Sequence, residues 1–280
     1  MTRVLTTTLT AAVCVLAGAA ACKQTGTAPG ESNHTLSHAG ETWCPDGFEP
    51  GSNETCFAIP EQATKDTPVL VYLHGSYTGH GSPEEWSAVR VAAQRGFAVI
   101  IPRGKRGLCA WRVEVKDHFC WPQEPEDTAG IKKLLSEWES VLWQVDALLP
   151  QGTHKRYVLG SGNGGFFASF LATHGLFPGQ AYAVVNGGPL APPGKGKPVP
   201  ILLIPTPDPE STPKMRELHE SLGKASWAQA FCPRQGSSAL TAEDVEAALR
   251  FFKRDADGSL KAQGNVYPCD GAELANGKRR

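Results

Sequence analysis

Short apolar runs that do not alternate with polar residues recur along the chain. The first is Val69–Leu73, read as "VLVYL". Similar runs follow at 97–102, 156–160, 181–185 and 199–206, and a weaker one at 226–232. Strands that are buried on both faces of a parallel sheet have this pattern. The runs therefore predict the strands of a buried, mostly parallel sheet.

Segments with helical spacing separate these strands. Ser82 is placed to cap the first helix, Pro83 suits its first turn, and Glu85 completes a predicted capping box. Residues 126–150 repeat apolar side chains three or four positions apart, and further helices are predicted at 164–175, 211–223 and 241–254. Because strands and helices alternate, the predicted fold class is α/β, with a mostly parallel central sheet and helices on both faces.

The segment 103–125 has no clean period and follows the predicted strand at 97–102. Loops at the carboxyl ends of strands surround the ligand sites of such sheets, so this segment is placed to overhang a site. A surface loop whose aromatic side chains pack on the body of the protein is an equally consistent interpretation.

The amino-terminal end indicates export. Residues 1–21 combine Arg3 with a short apolar stretch and small residues, which is typical of a secretory signal peptide. Cys22 follows "LAGAAA" and resembles a bacterial lipoprotein acylation site, which predicts a lipid anchor in the cell envelope; ordinary cleavage after Ala21 is the alternative. Residues 22–42 are polar and small, which predicts a flexible tether, and 43–280 are expected to form one domain.

The cysteines agree with an oxidising compartment. Six of the eight remain when Cys14 and Cys22 are set aside, and six cysteines allow fifteen pairings. They group locally along the chain, which predicts the disulfides Cys44–Cys56, Cys109–Cys120 and Cys232–Cys269. None of these cysteines has C-x-x-C spacing, so no metal site is predicted.

The net charge argues against one class of partner, the nucleic acids. The formal net charge is −1, which does not favour a nucleic-acid surface. No cofactor is predicted. The sequence leaves the oligomeric state and the identity of any ligand open.

The stretch "RYVLGSGNGGFF" at 156–167 predicts a strand, a tight turn and a helix, and the turn fits two motifs. Gly160, Gly162 and Gly165 have the G-x-G-x-x-G spacing of a dinucleotide phosphate loop. That motif normally lies in the first strand–turn–helix unit, with an acid at the end of the next strand. Here two strands precede it and the next strand ends at Asn186, so the dinucleotide interpretation is the weaker one.

The other motif is the nucleophile elbow of serine hydrolases, G-x-S-x-G. Together with "VYLHGSYTG" at 71–79 and "ILLIPTPDPE" at 201–210, the turn makes residues 68–253 resemble the α/β-hydrolase superfamily, particularly secreted esterases and depolymerases. The resemblance implies an oxyanion loop at Gly75 and Ser76, with Asn163 following the nucleophile. It also implies a catalytic acid at Asp208 and a histidine in the loop before the last helix.

The departures from this pattern fall on the catalytic positions. Gly162 occupies the nucleophile position and Ser238 the histidine position. His219, which follows Asp208, lies in a predicted helix before the last strand and is not expected to reach the elbow. Ser161 is the alternative nucleophile if the turn is shifted by one residue, but Leu159 and Asn163 would then crowd a turn that needs small flanks.

These features favour an exported, lipid-anchored α/β-hydrolase-fold protein that binds a small-molecule or ester-like ligand without catalysis. An active extracytoplasmic serine hydrolase that uses Ser161 or a misplaced triad is the alternative.

Overall fold

The fold is described by a computed structural model that covers residues 43–109, 113–260 and 267–269. The predicted signal peptide, the acylation site at Cys22 and the tether lie outside the described residues. In the part of the chain that is described, no helix is long and apolar enough to cross a membrane.

Within the described ranges, eight strands form one sheet in the order β1-β2-β4-β3-β7-β8-β9-β10. Strands β1 and β2 pair antiparallel, β2 also pairs antiparallel with β4, and every pair from β4 to β10 is parallel. Two further strands, β5 and β6, form a small antiparallel ribbon. The strands are β1 Glu49–Pro50, β2 Thr55–Ala58, β3 Val69–Leu73, β4 Ala98–Pro102, β5 Lys105–Arg106, β6 Phe119–Cys120, β7 Arg156–Ser161, β8 Ala181–Val185, β9 Ile201–Ile204 and β10 Gln229–Phe231.

Among the described residues, five α-helices cover the sheet, and each was predicted. They are α1 Pro83–Gln94, α2 Thr128–Leu148, α3 Asn163–His174, α4 Ser211–Lys224 and α5 Ala242–Ala256. Buried side chains of α1 and α5 pack in one apolar cluster with one face of the sheet, and those of α2, α3 and α4 pack in another. The predicted fold class is therefore confirmed.

The parallel strands of the core are continuous apolar runs because both of their faces are covered. Every residue of β3, β4, β8 and β9 is buried. Within β3, Leu70 and Tyr72 face the cluster that includes α1 and α5, whereas Val71 and Leu73 face the other. This two-sided burial explains why polar residues do not interrupt the runs.

Hydrogen bonds from nearby side chains determine where α1 and α5 begin. The Ser82 hydroxyl accepts a 3.3 Å hydrogen bond from the backbone N–H of Glu85 and so caps α1. The second half of the predicted capping box does not form, so that prediction is wrong. The Glu85 carboxyl instead accepts hydrogen bonds from the Tyr72 hydroxyl and the Gly75 N–H. A full capping box, with Thr241 and Asp244, starts α5.

The three predicted disulfides, Cys44–Cys56, Cys109–Cys120 and Cys232–Cys269, are all present. The first joins the start of the described chain to β2. The second joins Cys109, just after β5, to the end of β6, and the third holds residue 269 beside the end of β10. Each disulfide therefore fastens a segment that has little regular structure of its own.

Candidate functional site

The glycine turn joins β7 to α3 and has the geometry of an elbow. Gly162 has φ +53° and ψ −121°, a backbone conformation that side-chain-bearing residues seldom adopt. Its N–H donates a 2.9 Å hydrogen bond to Val185 O, and its carbonyl oxygen accepts from the N–H groups of Gly165 and Phe166. Gly162 is therefore the apex of the turn, and Ser161 is the last residue of the strand.

The neighbours of the apex must be glycines for reasons of space. A Cβ on Gly160 would overlap the carbonyl oxygen of Gly164, and a Cβ on Gly164 would overlap that of Leu73. At Gly162 itself the nearest atom to an added Cβ is the Gly75 Cα, at 3.7 Å. Of these three glycines, only Gly162 has room for a side chain.

A cavity of about 590 Å³ opens beside this turn, at the carboxyl edge of the sheet. The residues that sequence reasoning placed in the site all line it, namely Gly75, Ser76, Ser161, Gly162, Asn163, Asp208 and Ser238. The structure also adds residues to the lining that the sequence did not indicate, among them Glu85, Gln123, Phe166, Asn186, Glu210 and Lys214. Loops after β3, β7, β8, β9 and β10 therefore converge on one site.

Asp208, at the acid position, lies in the loop three residues before the first residue of α4. Its Oδ1 accepts hydrogen bonds from the backbone N–H groups of Glu210, at 3.0 Å, and Ser211, at 2.6 Å. This is the arrangement of a capping side chain at a turn. One oxygen of the Asp208 carboxyl is therefore engaged by the backbone of its own loop.

Ser238, at the histidine position, is an exposed residue whose backbone oxygen accepts a 2.5 Å hydrogen bond from Asn186 Nδ2. Oδ1 of Asn186 accepts from both the backbone N–H and the hydroxyl of Thr206, at 3.0 and 2.6 Å. Asn186 thus ties together the loops that contain Asp208 and Ser238. Sequence reasoning noted Asn186 only as a non-acidic strand end, and no local signal distinguished it.

No histidine is among the described residues that line the cavity. His219 stacks on Phe231, and its Nδ1 lies 2.9 Å from Oε1 of Gln229 on β10. His74 is buried behind the oxyanion loop, and its Nε2 accepts a 2.8 Å bond from the Gly104 N–H. Its Nδ1 must therefore carry the proton that is donated to Gly75 O, at 2.5 Å. Burial lowers the pKa of His74 to about 3, so the ring is a neutral support for the loop.

Glu85 is the acid nearest to the oxyanion loop. Its Oε2 accepts a 2.7 Å hydrogen bond from the Tyr72 hydroxyl and a 3.2 Å bond from the Gly75 N–H. Burial raises the pKa of Glu85, and burial followed by the Glu85 charge raises that of Tyr72. Ser161, which precedes the apex, is only 3% exposed. A buried Tyr72–Glu85 pair thus lies beside the oxyanion loop.

The sequence matches no protein-family model and no curated protein at a significant level. Solved structures resemble it in fold. Esterase PE8 is 17% identical with a TM-score of 0.51, covering 71% of this chain and 96% of that one. TT1662 from Thermus thermophilus is 18% identical with a TM-score of 0.51, covering 74% and 97%. An acylaminoacyl peptidase from Pyrococcus horikoshii is 15% identical with a TM-score of 0.51, covering 75% of this chain and 42% of that one. Together with the sheet order and the elbow, these similarities establish the α/β-hydrolase fold.

Proposed function

We propose that this α/β-hydrolase-fold protein binds a small-molecule or ester-like ligand without catalysing its hydrolysis. The observation that supports this most directly is the glycine at the apex of the elbow. Acyl transfer in this fold needs an oxygen nucleophile at that point and a base within hydrogen-bond reach of it. Gly162 supplies no side-chain oxygen, and neither histidine nor cysteine is present in the described lining of the cavity.

The remaining features of the site suit binding. The cavity of about 590 Å³ is of the size that small ligands occupy, and its described lining combines polar side chains with the ring of Phe166. Asn186 fastens two of the loops that form it. A site that is held in shape in this way can retain a ligand without a nucleophile.

An active hydrolase that uses Ser161 is the second candidate, because Ser161 lines the same cavity. Its surroundings argue against it. A serine hydroxyl needs a partner that can take its proton, and the described lining of the cavity contains no histidine. The Ser161 side chain is also almost entirely covered.

A fluorophosphonate probe, which labels only activated serines, separates the two candidates. The wild-type protein should remain unlabelled and should not hydrolyse a panel of ester substrates. Gly162→Ser combined with Ser238→His should gain weak labelling, because it restores the nucleophile and a histidine beside the same cavity. Gly162→Ser alone should gain little, since an unassisted hydroxyl is a weak nucleophile.

The control for this experiment is thermal unfolding of each variant, because a side chain at the apex costs on the order of 1–3 kcal/mol of backbone strain. Robust labelling of the wild-type protein that disappears in Ser161→Ala would refute the non-catalytic proposal and establish the hydrolase.

We also propose that the protein is exported and anchored by lipid at Cys22, on the strength of the amino-terminal sequence. The full-length protein should then partition with membranes, and Cys22→Ser should release it. Recovery of the wild-type protein only in soluble periplasmic or secreted fractions would contradict the anchor.

A further inference from the structure

Glu85, near the start of α1, uses one carboxyl oxygen within the protein and leaves the other open. Its Oε2 accepts hydrogen bonds from the Tyr72 hydroxyl, at 2.7 Å, and from the Gly75 N–H, at 3.2 Å. Its Oε1 accepts from no donor of the described residues, and it is not sealed from solvent as the unpaired side-chain nitrogens of Asn163 and Gln123 are. Because Glu85 lines the cavity, a ligand there can reach this oxygen.

Two glycines keep the space beside this oxygen clear. A Cβ on Gly75 would lie 2.8 Å from Glu85 Oε1, which is closer than side chains pack. A Cβ on Gly162, at the apex of the elbow, would lie 3.7 Å from the Gly75 Cα. Side chains at these two positions would therefore crowd the Glu85 carboxyl and the part of the cavity next to it. Their absence leaves the open oxygen beside the position that a nucleophile occupies in an active elbow.

No cation of the described residues neutralises Glu85, which takes part in none of their salt bridges. Lys214 lines the same cavity, but its Nζ lies 5.0 Å from the centre of the Phe166 ring and is not paired with a described carboxylate. Burial raises the pKa of Glu85, because a carboxylate that has lost water without gaining a cation is unfavourable. A positive ligand would supply the missing partner.

The remaining charges of the described lining also favour a positive ligand. Asp208 and Glu210 line the cavity together with Glu85, whereas Lys214 contributes the only ammonium group among the described lining residues. When the three carboxyl groups are ionised, the lining has a net negative charge. A concave site with such a lining attracts cations.

We propose that the cavity binds a small organic amine in its protonated form, with the ammonium group donating a hydrogen bond to Glu85 Oε1. An ammonium group carries three donors and a full positive charge, so it satisfies this oxygen and stabilises the ionised carboxylate. Phe166 and Val115, which also line the cavity, are available to the apolar part of the ligand. This inference rests on the proposed ligand-binding function and names the class of ligand.

The test compares 4-phenylbutylamine, which is protonated near neutral pH, with the uncharged alcohol 4-phenylbutan-1-ol. Each is titrated into the full-length protein by calorimetry at pH 8. The amine should bind about tenfold more tightly than the alcohol, the ratio expected for a hydrogen bond between two charged groups. Equal binding would show that a hydroxyl donor suffices and would overturn the assignment of an ammonium ligand.

Glu85→Gln removes the open oxygen while keeping the bonds behind it. The Tyr72 hydroxyl and the Gly75 N–H are both donors, so the amide oxygen must take the place of Oε2 and the amide nitrogen that of Oε1. A donor then faces the ammonium group. Binding of the amine should weaken by about tenfold or more, whereas binding of the alcohol should change little, because a hydroxyl can also accept.

Glu84→Gln is the matched control, because it removes the same charge from the neighbouring residue, which is exposed and bonds to Ser82. Its affinity for the amine should equal that of the wild type. Gly75→Ala provides a second route if Glu85→Gln does not fold. It keeps the carboxyl but places a Cβ against Oε1, so it should also weaken binding of the amine.

Absence of amine binding at millimolar concentration would overturn the inference, and so would undiminished amine binding by a folded Glu85→Gln variant. Failure here is distinguishable from failure of the proposed function, because the latter is read from fluorophosphonate labelling of the wild-type protein. An unlabelled protein that does not bind the amine would keep the non-catalytic proposal and lose only this ligand class.

Discussion

The backbone N–H of Trp121 donates a 2.6 Å hydrogen bond to Oδ1 of Asn163, and this bond joins a disulfide-bounded segment to the glycine turn. Trp121 follows Cys120, whose partner is Cys109. Val115 and Gln123, which lie within and just beyond this segment, line the cavity. Residues of the segment therefore border the site, as one sequence interpretation predicted, while the ring of Trp121 is buried against Phe167, as the other predicted.

Removal of the Cys109–Cys120 disulfide should loosen this wall of the cavity. The double variant Cys109→Ser with Cys120→Ser should lower the free energy of unfolding by about 2–4 kcal/mol. Hydrogen exchange should accelerate at the Trp121 amide, while the amides of β3 and β7 stay comparatively protected. Removal of the Cys232–Cys269 disulfide, which lies beside the end of β10, is the matched control. Faster exchange at Trp121 in that control variant would show that the effect is not local.

Alanine substitutions in the glycine turn should destabilise the protein by amounts that depend on the position. Gly162→Ala should lower the free energy of unfolding by about 1–3 kcal/mol, because φ is positive there although the added Cβ has room. Gly164→Ala should cost more than about 4 kcal/mol or abolish folding, because its Cβ would overlap the backbone of Leu73. Urea unfolding measures both changes. Equal costs at the two positions would contradict the close packing at Gly164.

His74 should stay neutral in the folded protein well below the usual titration range of histidine. Burial lowers its pKa to about 3, whereas the unfolded value is 6.5. Protonation therefore favours the unfolded chain, so this contribution to stability is present above pH 6.5 and is lost as the pH falls toward 3. The slope is about 1.4 kcal/mol per pH unit. Nitrogen-detected NMR should show the Nδ1–H tautomer unchanged from pH 7 to pH 4, and an imidazolium signal at pH 5 would contradict it.

Glu85 should have the opposite pH dependence. Burial raises its pKa above the ordinary value of 4.5 in the folded state, so ionisation favours unfolding. Its contribution to stability is present below pH 4.5 and is lost as the pH rises through the folded pKa. Glu85→Gln keeps an oxygen that can accept from Tyr72 and Gly75, and its free energy of unfolding relative to wild type should increase from pH 4 to pH 8.

Glu84→Gln is the control for that experiment, because the neighbouring Glu84 is exposed and bonds to Ser82. Hydrogen bonding lowers the pKa of Glu84, so this variant should not gain stability relative to wild type as the pH rises. A pH-independent difference between wild type and Glu85→Gln would show that the Glu85 carboxyl titrates normally.

The sequence by itself determined the features that depend on short-range chemistry. Unbroken apolar runs such as Val69–Leu73 can be satisfied only by burial on both faces, and Ser82 and Thr241 cap helices through residues three positions away. The disulfides join cysteines that are 11 to 37 positions apart. The glycine turn was recognisable because its spacing is local. These signals sufficed for the α/β fold and for the position of the elbow.

Only the tertiary structure decided which side chains share the cavity. Strands β1 and β2 were not predicted, because they are short and β2 pairs with β4 more than 40 positions away. From the sequence, Glu85 was predicted to complete a capping box. In the fold, α1 packs beside β3, and the Glu85 carboxyl bonds to Tyr72 and Gly75 instead. Asn163, Gln123 and Lys214 belong to separate segments, and each looks like an ordinary polar residue along the chain. Their meeting depends on the parallel strands ending at one edge of the sheet, because that arrangement brings distant loops together and buries amide groups that no local partner satisfies.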